Sequence, residues 1–190
     1  MGMQKEFLYN LLSSDNVVEQ IRGNLDELLE IVPEVADMIG FEHRHPHHHL
    51  DVWEHTLCAL NLSPNEFDVR LSLLFHDIGK PHSYQDLGEG VRHFNGHPEK
   101  SARITKDVLT RLGYPKDYIR FISGIVARHD TPLDRFEIID TPKFAKTLFE
   151  VQKCDAWAHN PEHNAKRLKY IEYMTQMFKY IEQKDGTLSM

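Results

Sequence analysis

The most apolar stretch of the chain, Leu71 to Phe75, runs directly into two adjacent polar residues, His76 and Asp77. A helix that is apolar on most of its surface is buried, so its end carries both polar side chains into the interior. A buried carboxylate is costly unless it meets a cation, a hydrogen-bond network or a metal ion. Any fold of this chain must therefore supply a partner for Asp77 from elsewhere in the sequence.

The rest of the chain is divided into helices. Apolar residues recur at helical spacing, and no window shows the sustained alternation of a strand. Pro98, Pro115 and Pro142 each stand at the beginning of a helical pattern, where proline is favoured. We expect helices over 17–31, 51–61, 68–78, 98–112, 115–129, 142–159 and 162–181, with a loop over 82–96. The sequence therefore predicts an all-α fold.

With 190 residues, the chain is long enough for one domain with a substantial core. We expect an N-terminal helical extension (1–45), a main domain (46–160) and a C-terminal helix (161–190) that packs on it. No stretch approaches the length of a membrane span, and the N-terminus lacks a signal-peptide pattern. Cys58 and Cys154 lie in apolar helical patterns, which indicates reduced thiols and a cytoplasmic protein. The net charge of −7 argues against an extended nucleic-acid surface.

Helical spacing directs a set of polar side chains towards the core. They come from four different helices and share the apolar face or end of each: His55, His76, Asp77, His129 and Asp155. A single inward histidine is usually a satisfied core residue, and an inward aspartate is often a cap or an ion-pair member. No comparable set of inward Arg or Lys accompanies these five, whereas imidazole nitrogens and carboxylate oxygens are ligands for divalent cations. The spacing therefore predicts a metal site between the helices.

The order His55, His76-Asp77, Asp155 resembles the HD-domain superfamily, an all-helical fold of metal-dependent phosphohydrolases named for its His-Asp pair. The stretches GHPEKSA (96–102) and IVARHD (125–130) resemble two further motifs, found in members that carry two metals. The segment from Pro33 to about residue 159, with EHRHPHHHLDVWEHT and LLFHDIGKP, is similar to the HD domain attached to bacterial tRNA nucleotidyltransferases. We expect a stand-alone domain of this branch, without the nucleotidyltransferase head.

The resemblance implies a helical bundle with two divalent cations between its helices. The first would be bound by His55, His76, Asp77 and Asp155. Asp77 would bridge to the second, which His97 and His129 would complete; from its position before Pro98, His97 is also consistent with a helix cap or with a place in solvent. The metal remains open among Fe, Mn, Zn, Co, Ni and Mg. A hydroxide activated by the metals would attack phosphorus.

Further site residues follow from the resemblance. Lys80 and His48 are the candidates for catalysis beside Asp77, and Lys80, His48 and His49 are candidates for substrate binding. Arg128 is a further candidate for substrate binding, as a cation that could meet phosphate, and the resemblance does not indicate it. Lys80 is also consistent with a solvated cation at a helix C-terminus, and Arg128 with an ion pair to an acid. We expect the other histidines of the cluster 43–49 at the surface. Loop 82–96, with Arg92, His93 and Asn95, could cover the site.

The leading hypothesis is a phosphohydrolase that acts on a small nucleotide-type monoester or diester, 2′,3′-cyclic phosphates included. One alternative is a di-iron oxygenase of the same fold, since its ligand order is the same. The other is a non-catalytic nucleotide-binding module. The motif HDIGK, with its lysine, favours hydrolysis.

Overall fold

The computed structural model of the chain describes residues 2–86, 88 and 90–185. The α-helices are α1 (Met3–Leu12), α2 (Val17–Gly23), α3 (Leu25–Ile31), α4 (Val52–Asn61), α5 (Phe67–Phe75), α6 (His97–Arg111), α7 (Lys116–Arg128), α8 (Arg135–Asp140), α9 (Pro142–Ala158) and α10 (Ala165–Asp185). Short 3-10 helices cover Pro33–Met38, Lys80–His82 and Pro161–His163. Two antiparallel strands of two residues each, β1 (Gln85–Asp86) and β2 (Arg92–His93), form a hairpin. The prediction of an all-α fold is confirmed.

Some element boundaries differ from those predicted. The helix predicted over 17–31 is two helices, because the chain turns at Asn24, whose side-chain amide donates to the Gln20 carbonyl. Helix α8 lies in a segment for which the apolar periodicity predicts no element, and it begins with a capping box formed by Asp134 and Glu137. The predicted loop 82–96 contains the hairpin; its positions 87 and 89 lie outside the described residues.

Among the described residues, one apolar core connects the N-terminal helices with the helices that follow them. It includes Leu8 and Leu12 of α1, Phe75 of α5 and Phe178 of α10. The buried Arg70 of α5 donates through Nη1 to the carbonyls of Leu12 and Ser14, at 2.8 and 2.7 Å, and so satisfies the end of α1. The division into 1–45, 46–160 and 161–190 stays a prediction, and 186–190 lie outside the described residues.

The turn after α5 lies directly against the beginning of α6. The backbone nitrogen of Gly79 donates to Ser101 Oγ at 2.9 Å. A Cβ atom at Gly79 would lie 2.5 Å from the backbone nitrogen of Ser101 and 2.8 Å from the carbonyl oxygen of His97. Only glycine permits this approach, which brings the turn with Asp77 close to the helix with His97. Within the described part of the chain, no helix has the length and apolarity needed to cross a membrane.

Candidate metal centre

His76 and Asp77 follow the last residue of α5, and both are buried. His76 Nδ1 lies 2.7 Å from the carbonyl oxygen of Leu73, one turn back in the helix. A carbonyl can only accept, so Nδ1 carries the proton and Nε2 presents a lone pair to the interior. The helix end thereby fixes both the orientation and the tautomer of the imidazole.

Three more histidines are held in the same way. His55 of α4, His97 at the start of α6 and His129 at the end of α7 each place Nδ1 on a backbone carbonyl. The carbonyls are those of Ala158, Phe94 and Val126, at 3.3, 2.9 and 2.7 Å respectively. Such second contacts are typical of histidines that bind metals, because they fix the ring and raise its basicity. Four Nε2 atoms therefore converge on one region.

The Asp77 carboxylate lies between two pairs of histidines. Its Oδ2 is 3.3 Å from His76 Nε2 and 3.7 Å from His55 Nε2. Its Oδ1 is 3.3 Å from His97 Nε2 and 3.7 Å from His129 Nε2. Burial favours the neutral acid, but His76 and Lys80 hold the pKa of Asp77 well below its usual value. An ionised carboxylate thus faces both histidine pairs.

Asp155, on α9, supplies the second carboxylate. Its Oδ1 lies 2.9 Å from His55 Nε2 and 3.6 Å from His76 Nε2. Its Oδ2 accepts from Arg167 Nη1 at 3.0 Å. Although burial opposes ionisation, His159 and Arg167 keep the pKa of Asp155 well below the usual range. The first predicted ligand group, His55, His76, Asp77 and Asp155, is therefore brought together.

Several atoms of the centre lack a partner that the protein supplies. His97 Nε2 and His129 Nε2 lie 3.1 Å apart, although both Nδ1 atoms already donate, so two lone pairs face each other unless a cation or a proton intervenes. Among the described residues, His76 Nε2 and both Asp77 oxygens are buried without a hydrogen bond of acceptable geometry. Lys80 Nζ does lie 2.7 Å from Asp77 Oδ2, as an ion pair.

Imidazole nitrogens and carboxylate oxygens of this kind fit divalent cations. Three groups of side chains bring ligand atoms close enough to hold a metal ion: His55-Asp155-His159, His55-His76-Asp77 and Asp77-His97-His129. Burial lowers the pKa of His129, but the carboxylates of Asp130 and Asp77 raise it to about 9. In the absence of a cation, a proton on His129 therefore offsets part of the negative charge of the Asp77 and Asp130 carboxylates.

Lys80 is enclosed beside this centre. Its Nζ lies 3.0 Å from His43 Nε2 and 3.5 Å from His48 Nε2, in addition to the Asp77 ion pair. The rings of His43 and His48 stack with their centroids 3.7 Å apart. Burial and then Lys80 lower the pKa values of both histidines, that of His43 to about 2, so both accept from the ammonium. With 4% of its surface exposed, Lys80 is not the solvated cation of the alternative interpretation.

The expectation that His43 lies at the surface is wrong. Its ring is 1% exposed, and its Nδ1 donates to the carbonyl of Leu50 at 2.9 Å. The segment folds back on itself: Glu42 pairs with Asp51 in an isolated bridge, and Arg44 takes a left-handed conformation with φ 46°. This reversal turns His43 towards the centre.

A cavity of about 480 Å³ opens onto the centre. Besides Asp77, His97, His129 and Asp155, its lining includes Lys80, His48, Arg92, His93, Asn95, Lys166 and Arg167. His49 is exposed and lies outside this lining. The Arg128 guanidinium forms an ion pair with Glu137 of α8, with Nη2 3.1 Å from Oε2, as the ion-pair alternative anticipated.

Sequence reasoning missed three more residues of the centre. His159 follows Asp155 at helical i+4 spacing, and its Nδ1 lies 3.4 Å from Asp155 Oδ1. Asp130 follows His129 directly, and its Oδ1 accepts from Arg167 Nη2 at 2.8 Å. The spacing could have revealed His159, and the repeated His-Asp pair could have revealed Asp130. Arg167, on a separate helix with a polar sequence, left no such signal.

Comparison with known proteins identifies relatives of this chain. A family model described as HD domain matches residues 46–171. The chain is 40% identical over 104 residues to the CC-adding tRNA nucleotidyltransferase of Thermus thermophilus, covering 52% of this chain and 24% of that protein. It is 39% identical over 88 residues to the A-adding tRNA nucleotidyltransferase of Deinococcus radiodurans, covering 43% and 20% respectively. It is 32% identical over 133 residues to the multifunctional CCA protein of Dechloromonas aromatica, covering 68% and 31%. The matched part is thus less than a third of each relative's length.

Proposed function

This chain belongs to the HD-domain family, and we propose that it is a phosphohydrolase that cleaves a small nucleotide-type phosphomonoester or phosphodiester, 2′,3′-cyclic phosphates included. Metal-dependent hydrolysis is the general chemistry of the family. The observation that carries the proposal is the convergence of four histidine Nε2 atoms and two ionised carboxylates in a buried centre beside a cavity. This donor set suits two divalent cations better than it suits a protein core.

The two cations would share Asp77. The first would be held by His55, His76, Asp77 and Asp155. The second would be held by Asp77, His97 and His129, whose closest ligand atoms lie 3.1 to 3.7 Å apart. When bound, a pair of divalent cations supplies Lewis-acid polarisation of a phosphoryl group and lowers the pKa of water.

Lys80 and His48 would act on the substrate. Of the three acceptors around Lys80 Nζ, His48 Nε2 is the most distant at 3.5 Å, so it is the contact that a phosphate oxygen can replace at least cost. Because Lys80 donates to His48 Nε2, the proton of the neutral His48 ring is on Nδ1. That atom is buried without a partner among the described residues, which leaves its N–H free to donate a hydrogen bond to a substrate oxygen.

The charge and size of the cavity favour a small anion. Although the chain carries a net charge of −7, the lining of this cavity has more cationic side chains (Lys80, Arg92, Lys166 and Arg167) than carboxylates (Asp77, Asp130 and Asp155). Its volume of about 480 Å³ is in the range of sites for small ligands. His49 and Arg128 are given no role, since one is exposed and the other is paired. We place the protein in the cytoplasm, because Cys58 and Cys154 are free thiols.

The test begins with metal content, measured by elemental mass spectrometry on protein purified without a tag or chelator. We expect about two equivalents of a transition metal in wild type. Asp77→Asn should lose both, together with hydrolysis of p-nitrophenyl phosphate, bis(p-nitrophenyl) phosphate and 2′,3′-cyclic AMP. Asp117→Asn, the same chemical change at a side chain that is 94% exposed, is the matched control and should match wild type.

The possible outcomes separate the hypotheses. A wild-type protein that binds no Mn, Fe, Co or Zn at any concentration tested would overturn the metal centre and the hydrolase with it. Full metal content in Asp77→Asn would contradict the bridging role. Oxygen uptake by the iron form, without hydrolysis of any of the three phosphates, would support the oxygenase instead. Nucleotide binding without turnover in the metal-loaded form would support a binding module.

A further inference from the structure

The dipeptide His-Asp occurs twice at the ends of helices. His76-Asp77 follows α5, and His129-Asp130 follows α7. In both pairs, the histidine Nδ1 donates to the carbonyl three residues earlier, at 2.7 Å. The local structure that directs Asp77 into the centre is therefore repeated at Asp130. The second aspartate has no part in the ligand set proposed above.

Asp130 approaches the second histidine pair closely. Its Oδ2 lies 3.3 Å from His97 Nε2 and 3.8 Å from His129 Nε2. Asp77 Oδ1 lies 3.3 and 3.7 Å from the same two nitrogens. Two ligands bound at about 2.1 Å to one cation, at angles of about 90–109°, lie about 3.0–3.4 Å apart. Asp130 thus has the same relation to this histidine pair as Asp77, which already faces both predicted sites.

Arg167 fixes the other oxygen of Asp130. Its Nη2 donates to Asp130 Oδ1 at 2.8 Å, and its Nη1 donates to Asp155 Oδ2 at 3.0 Å. One planar guanidinium thereby holds one oxygen from each carboxylate and directs the other oxygen of each towards histidine nitrogens. An ion pair at the cavity wall would not by itself require Asp130 Oδ2 to approach His97. This geometry is that of a ligand held by a second contact.

We propose that Asp130 is a protein ligand of the second divalent cation, and that Arg167 is the positioning residue that orients Asp130 and Asp155 together. The inference rests on the proposed function, because it presumes a centre with two cations. With Asp130, each cation has two imidazole nitrogens and two carboxylate oxygens, and Asp77 is shared. The second site then no longer has one protein ligand fewer than the first, so the two affinities should be similar.

The test is an equilibrium titration of chelator-treated protein with MnCl₂, with free Mn²⁺ followed by electron paramagnetic resonance. We expect wild type to bind two Mn²⁺ ions. Asp130→Asn should bind one with an affinity within threefold of wild type, and the other about 10- to 100-fold more weakly. Asparagine keeps the shape of the side chain and can still accept from Arg167. Far-UV circular dichroism and thermal unfolding verify that the variant is folded, and Asp117→Asn is the control.

Each outcome bears on a different statement. If wild type binds no Mn²⁺ or any other divalent cation, the proposed metal centre fails and this inference fails with it. If wild type binds two ions and Asp130→Asn binds both unchanged, Asp130 is not a ligand, while the proposed function stands. Equal weakening of both sites in Asp130→Asn would also overturn the ligand role, because the effect would then travel through Arg167 to Asp155.

A second variant tests the positioning role. Arg167→Gln releases a carboxylate of each site, so both Mn²⁺ affinities should fall, each by about tenfold or more. Loss at one site alone, or at neither, would contradict the assignment to Arg167. This readout does not depend on the substrate or on turnover.

Discussion

Gly79→Ala should disturb the second metal site, although Gly79 is not one of its ligands. The new Cβ would meet the Ser101 backbone nitrogen at 2.5 Å, and this contact must lengthen by about 0.9 Å to reach 3.4 Å, where ordinary contacts begin. Backbone lies on the opposing side, so no side-chain rotation can relieve the clash. Overpacking of this kind costs up to about 3 kcal/mol. For a chain of this length, that corresponds to a fall in Tm of about 6–12 °C.

The displacement of α6 should also affect catalysis. Relief of the clash moves the start of α6, with His97, away from the turn that carries Asp77. A misplacement of about 1 Å in a reacting centre can cost about 100-fold in turnover. We therefore expect the kcat of Gly79→Ala for bis(p-nitrophenyl) phosphate to fall about 100-fold. The Mn²⁺ affinity of the second site should fall more than that of the first.

This prediction is tested by thermal unfolding and Mn²⁺ titration of wild type, Gly79→Ala and the control Gly23→Ala. Gly23 is the last residue of α2, and a Cβ there would meet no atom within 4 Å. The control should be as stable as wild type or more stable, by about 0.5–1 kcal/mol. If Gly79→Ala melts within 1 °C of wild type and binds Mn²⁺ normally, the close approach of the turn and α6 does not constrain the centre.

Two further substitutions test charges near the cavity. Lys80→Met leaves Asp77 without its ammonium, so the chelator-treated protein should lose about 3 kcal/mol of unfolding free energy in urea titrations; excess Mn²⁺ should restore most of it, and equal losses with and without Mn²⁺ would contradict this. Arg128→Met removes a partly exposed ion pair to α8 and should cost about 1 kcal/mol, with KM unchanged. A tenfold rise in KM for Arg128→Met would instead indicate that Arg128 binds the substrate.

Helical periodicity predicted the part of the centre that lies on continuous helices. Asp155 shares the face of Leu148 and Val151, and His55 shares that of Val52, so the apolar stripe of each helix identified the polar residue that faces inward. Periodicity works here because a helix fixes the direction of each side chain relative to its neighbours. His97 begins its helix and belongs to no such stripe, and only the resemblance pointed to it.

Helical periodicity could not predict the residues that a chain reversal or a separate helix brings to the centre. His43 is turned inward by a segment with Arg44 in a left-handed conformation, which nothing in the periodicity indicates. Arg167 lies on a helix whose own sequence is polar, and its importance comes from contacts with Asp130 and Asp155 on other elements. Helix α8 was missed although its Asp-x-x-Glu capping box is a local signal.

The order of the centre's residues along the chain has a consequence for biosynthesis. Asp77 leaves the ribosome 90 residues before Arg167. At about 5–20 residues per second, the interval is roughly 5–20 s. Throughout that time Asp77, His55 and His76 exist without the guanidinium that orients Asp155. The centre is completed only when the beginning of α10 docks, so a nascent chain that ends before residue 167 holds an incomplete site.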